Sequence, residues 1–162
     1  MTALEVFERC ARADNDIARI EEKIERRRAI AMGCTAKPSD SSGGGGSKDA
    51  SMKLVDYMAD LEQLESDLKK RKDRKAMDIG CAVYLAEQLP DTMGSIMIRC
   101  FLRGQVLRTV ADEMGYSMSH IKRMKREAEQ ACRNIHITWW DGEHVPVLSD
   151  GNRIKILKDD TQ

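Results

Sequence analysis

The chain has 162 residues, 27 Lys and Arg against 27 Asp and Glu, and only 4% aromatics among 41% hydrophobic residues. That length holds one ordinary domain or two small ones. A charged fraction of 33% with so few aromatics excludes a β-sandwich or barrel and a large pocketed enzyme, and leaves charged helices.

The first segment, Thr2 to about Met32, reads as one helix, opened by Thr2 with Glu5 three residues on, the capping-box arrangement. Val6, Cys10, Ala13, Ile17, Ile20 and Ile24 recur at spacings of four and three, the seam of a helix that packs on another helix. Residues 33–51, GCTAKPSDSSGGGGSKDAS, are rich in Gly and Ser and read as a flexible linker, long enough for the chain to double back. The run GGGGSK lacks the preceding strand and the ending of a phosphate-binding loop.

A second seam follows at Leu54, Tyr57, Leu61, Leu64 and Leu68, in a helix spanning 52–75 that ends in KKRKDRK. The two seams suit an antiparallel hairpin within one chain or pairing between two chains. The basic run suits a solvated helix end that complements the helix dipole, or a phosphate-contacting patch. From Met77 shorter helices are expected: Ile79, Val83, Ala86 and Leu89 on one face, a break at Pro90, then Met93 through Arg103 with Gly104 ending it. Residues 106–114 and 118–133 supply two more helical periods. Beyond Asn134, HITWW and HVPVL around Asp141-Gly142 suggest a β-hairpin, with RIKIL as a third short strand.

Charge is unevenly distributed. Residues 94–133 carry eight Lys and Arg against four Asp and Glu, whereas 134–162 carry three against five. The basic segment contains VLRTVADEMGYSMSHIKRMKREAEQA, Val106 to Ala131. A helix-turn-helix that reads DNA needs a small residue where its helices cross, a glycine in the turn and apolar anchors under the second helix. Val110 and Ala111, Gly115, and Ile121, Met124 and Ala128 meet those needs, and Ser117 is placed to cap the second helix. Ser119, Lys122, Arg123 and Arg126 then form one outward polar, positive stripe, with Met118 and His120 beside it. Such residues suit guanine edges and phosphates in the major groove.

Residues 89–131 resemble region four of bacterial sigma factors, in which a Leu-Pro pair opens a helix and a helix-turn-helix comes last. Over residues 10–132, the charged first helix, the Gly/Ser linker, the second helix and this module resemble small sigma-factor-like transcriptional regulators of phages and prophages of Gram-positive bacteria. The resemblance implies that Ser117 to Arg126 carry the DNA-recognition face and that the activity is control of phage gene transcription. It also implies contact with host RNA polymerase and a place in the bacterial cytoplasm. The first helix of the motif reads LRTVADEM in place of the family's usual aromatic or acidic positions, and the tail after Asn134 lies outside the pattern.

The five cysteines (Cys10, Cys34, Cys81, Cys100, Cys132) form no CxxC and read as small buried apolar residues. Cys132, His136 and His144 fit no common zinc spacing. Trp139 and Trp140 suit hairpin packing, with partner docking or base stacking as alternatives. No carboxylate pair, Ser/His/Asp group or Cys/His pair marks a catalytic pocket, so neither an enzyme nor a cofactor or metal is expected. No run of eighteen apolar residues and no basic-then-apolar leader occurs, so no membrane is expected.

The sequence therefore predicts a mainly α protein: N-terminal helix 1–32, linker 33–51, coiled-coil helix 52–75, helix-turn-helix domain 76–134 and a small β-rich tail, 135–162. Its expected partner is double-stranded DNA, and homodimers are expected because one short recognition helix reads few base pairs. The rival readings are a small terminase subunit of a phage DNA-packaging machine and a coiled-coil protein-interaction module.

Overall fold

A computed structural model of the chain describes residues 1–35, 47–139 and 146–148. The described chain is mainly helical, with α1 (Ala3–Thr35), α2 (Ser47–Glu87), α3 (Asp91–Met97), α4 (Leu107–Met114) and α5 (Met118–Asn134) followed by two three-residue strands, β1 (Ile137–Trp139) and β2 (Pro146–Leu148). A wide π-type turn, Ile98–Leu102, follows α3 and closes on a bond from the Arg103 N–H to the Ile98 carbonyl.

Three boundaries differ from the sequence expectation. Residues 33–35 and 47–51 of the expected linker are helical, and its centre, 36–46, lies outside the described residues. The helix expected to end at residue 75 runs unbroken as α2 through KKRKDRK to Glu87, and the compact units divide within it, between Asp73 and Arg74. Once a helix is nucleated, each added residue gains a hydrogen bond, and no proline interrupts the sequence before Pro90. The helix expected over Met93–Arg103 instead starts at Asp91 and gives way to the π-type turn after Met97.

The chain forms two compact units, one of Met1–Ala13 with the residues from Arg74 onward, the other of Asp14–Asp73. The first thirteen residues thus belong with the C-terminal part, unlike the expected separation at residue 32. Within that unit Thr2 and Glu5 exchange hydrogen bonds, Thr2 N–H to Glu5 Oε2 at 2.9 Å and Glu5 N–H to Thr2 Oγ1 at 3.3 Å, the reciprocal cap read from the sequence. Val6, Phe7 and Cys10 pack with Cys81, Leu85, Met97, Ala128, Cys132 and Ile137 in one buried cluster. On α2 the buried face is Asp78, Cys81, Ala82, Leu85 and Ala86, a spacing of three and four, whereas Val83, expected inside, is exposed. Asp78 is tolerated there because Arg9 of α1 forms an ion pair with it.

Gly94 lets α3 cross α2 closely: a Cβ there would sit 2.3 Å from the Ala86 carbonyl oxygen. Beyond α5, Ile137 pairs with Leu148 and Trp139 with Pro146 in an antiparallel ladder. The N-terminus joins its other side, through Ala3 N–H to Ile135 O at 2.9 Å and Ile137 N–H to Met1 O at 2.8 Å. The turn at Asp141-Gly142, Trp140 and the expected strand RIKIL lie outside the described residues.

In the second unit Ile17 and Ile24 are buried, while Ile20 and the α2 seam, Leu54, Tyr57, Leu61, Leu64 and Leu68, are half-buried. Ion pairs flank the seam: Arg27 with Asp60 at 3.2 Å, Arg28 with Glu65 at 2.8 Å, Lys72 with Glu21 at 2.8 Å, and Arg71 with Asp16. They join the later α1 residues, Arg27 and Arg28, to Asp60 and Glu65, and the earlier ones, Asp16 and Glu21, to Arg71 and Lys72.

Candidate nucleic-acid interface

The α4–α5 segment is built on a second buried cluster. Ile96 of α3, Val110 and Ala111 of α4 and Ile121 of α5 are each at most 3% exposed, with Leu107, Met114 and Met124 half-buried against them. Ala111 and Ile121 so bring the two helices together at a side chain of one carbon, which permits a close approach.

The turn is fixed by backbone bonds. Gly115 adopts the left-handed conformation, φ 70°, which a residue with a Cβ rarely takes. Its N–H bonds to the Asp112 carbonyl, and the Tyr116 N–H bonds to the Ala111 carbonyl at 3.0 Å, the two bonds of a Schellman ending. Ser117 follows in extended conformation, and its Oγ accepts from the His120 N–H at 3.3 Å, capping α5.

With Ile121, Ala128 and Cys132 turned inward, Ser119, Lys122, Arg123 and Arg126 are all exposed, as are Ser117 and Met118. His120 is half-buried. Among the described residues no ion pair involves Lys122 or Arg126. Arg123 is held at both sides, its Nη2 3.2 Å from His120 Nδ1 and its Nε 3.9 Å from Glu127 Oε1. Lys125, by contrast, points elsewhere: it pairs with Glu129 and lies 4.9 Å over the Phe101 ring.

Tyr116 was legible only as part of the turn. Its ring stacks on the His120 imidazole with centroids 4.9 Å apart and 30° between planes, placing an exposed aromatic beside the basic stripe. A second polar cluster steadies α4 from behind, where Glu113 accepts from Gln105 Nε2 at 3.2 Å and pairs with Arg99 of the π-type turn.

Four cysteine thiols, Cys10, Cys81, Cys100 and Cys132, are made harder to ionise by burial. Burial pushes Cys10 and Cys81 from the ordinary 9.0 up to about 12, helped by the nearby Asp78 carboxylate, and pushes Cys132 up to about 11. Burial raises Cys100 as well. No group of three metal-ligating side chains occurs among the described residues, and His144 lies outside them. No helix among the described residues is long and apolar enough to cross a membrane. Comparison with known protein families, curated proteins and solved structures finds no match for this chain.

Proposed function

We propose that this protein is a sequence-specific regulator of transcription that binds duplex DNA in the major groove through a helix-turn-helix made of α4, the Gly115 turn and α5, in a chain that also contains an antiparallel helical hairpin. The observation that carries the reading is the division of α5 into two faces. Ile121, Ala128 and Cys132 are buried, and Lys122, Arg123 and Arg126 are exposed on a helix whose start is fixed by the Ser117 cap. Cations on the first turns of a helix that projects from its own core reach both phosphates and base edges. Phosphate contacts supply affinity, and base-edge contacts supply sequence preference.

The charge balance fits this assignment. The chain is neutral as a whole, Arg71 and Lys72 of the KKRKDRK run are paired with α1 carboxylates, and Lys122 and Arg126 of α5 are exposed with no ion pair among the described residues. By analogy with the sigma-like module, the regulated genes are those of a phage or prophage.

The test is footprinting of the bound DNA in the bacterial host, combined with light scattering of the purified protein. Occupied sites at promoters and a monomer or dimer in solution are expected. Occupation confined to one genome end by a ring of many subunits would replace this reading with DNA packaging. Absence of occupied sites would leave a protein-interaction module.

A further inference from the structure

The face of α5 contains an arrangement that goes beyond a row of cations. Arg123, a long side chain that would otherwise sample many rotamers, is held between His120 three residues before it and Glu127 four residues after it. His120 is itself fixed by the Tyr116 ring stacked on it, and Tyr116 is fixed by its backbone bond to Ala111 in the buried cluster. A connected path thus runs from the packed helix crossing to an exposed guanidinium.

The chemistry of the contact sets its polarity. A guanidinium has five N–H donors and no acceptor, so the bond between Arg123 Nη2 and His120 Nδ1 requires an unprotonated Nδ1. The imidazole proton then sits on Nε2, and neither side chain has an acceptor left to offer a ligand. In the major groove guanine offers two adjacent acceptors, O6 and N7, whereas adenine sets a donor beside its N7 and thymine offers one acceptor.

We propose that Tyr116 and His120 are positioning residues that hold Arg123 as a donor-only probe for the guanine O6/N7 edge. The proposal rests on the duplex-binding reading above and names the base which that face selects. Arg123 touches the base, and the other two act through it.

The experiment selects duplexes from a randomised library with the full-length chain, then measures binding to the selected duplex and to copies with 7-deazaguanine at each guanine. That analogue replaces only N7. Wild type and Tyr116→Phe, which keeps the ring, are expected to lose about tenfold in affinity at one guanine. Tyr116→Ala and His120→Ala are expected to lose less than about twofold on the same change, because the preference is already gone, while random duplex is still bound through the remaining cations. Helix content by circular dichroism checks folding, and His120→Ala carries the test if Tyr116→Ala does not fold. Undiminished guanine dependence in the folded alanine variants would overturn the positioning role alone. A wild type that binds duplex without guanine dependence would overturn the base assignment, and one that binds no duplex would overturn the proposed function with it.

Discussion

The two compact units bury their apolar residues to different depths. In the unit of Met1–Ala13 and the residues from Arg74, Phe7, Leu85, Met97, Val110 and Ile121 are fully buried, whereas the α2 seam of the Asp14–Asp73 unit, from Leu54 to Leu68, is only half-buried and is flanked by exposed ion pairs. Two helices alone can cover only one stripe of each other. Five helices and a short ladder can enclose side chains on all sides. The contrast teaches where geometry is fixed: the α4–α5 face proposed to bind DNA rests on a close-packed interior, the support that contacts at defined positions require.

Truncations sharpen the contrast most. Phe7→Ala is expected to cost about 3 to 5 kcal/mol, because a fully enclosed ring leaves a cavity, whereas Leu61→Ala, at a half-exposed seam position, is expected to cost about 1 kcal/mol. Urea denaturation of both variants checks this, and equal losses would erase the distinction between the units. Next comes Asp78→Ala, which removes the buried carboxylate that pairs with Arg9 and is expected to cost about 3 kcal/mol by the same measurement.

Overpacking acts at the helix crossings. Gly94→Ala places a methyl against the Ala86 backbone and Ala111→Leu overfills the α4–α5 contact, and each is expected to cost about 1 to 3 kcal/mol and to lower the melting temperature. An unmoved melting temperature in Ala111→Leu would mean that the two helices do not meet there.

A separate effect concerns pH. Below about pH 9 the Cys10 and Cys81 thiols are protonated in both the folded and unfolded chain; above it the unfolded chain releases these protons and the folded chain, with values pushed up to about 12, keeps them. The folded state then binds more protons, so stability is full below the unfolded value and falls as pH rises toward 12. The fall in melting temperature between about pH 8 and about pH 10.5 should shrink in a Cys10→Ala/Cys81→Ala variant. An equal fall would assign it to other groups.

Much of the α4–α5 segment was legible because its determinants are local. The Ala111, Gly115, Ser117 and Ile121 roles depend on neighbours within a few residues, and a turn glycine or a cap is a short-range requirement. The capping box at Thr2 was legible for the same reason. What escaped depends on partners distant in sequence. The burial of Asp78 was not legible because Arg9, which permits it, lies 69 positions away. Val83 was placed inside because periodicity alone does not say which of two adjacent stripes meets the first thirteen residues. The continuity of α2 was missed because a dense basic run resembles a helix end. The Tyr116–His120 stack needed the path of the chain through the left-handed Gly115, which spacing does not give.

The account turns on the exposed cations of α5, and the salt dependence of duplex binding tests them most directly. Each phosphate neutralised contributes about 0.9 to the slope of log affinity against log salt. Lys122→Ala/Arg126→Ala is therefore predicted to bind mixed-sequence duplex more weakly than wild type with a slope shallower by about 2. No duplex binding by wild type at about 50 mM salt, or the same slope in wild type and the double variant, would contradict it.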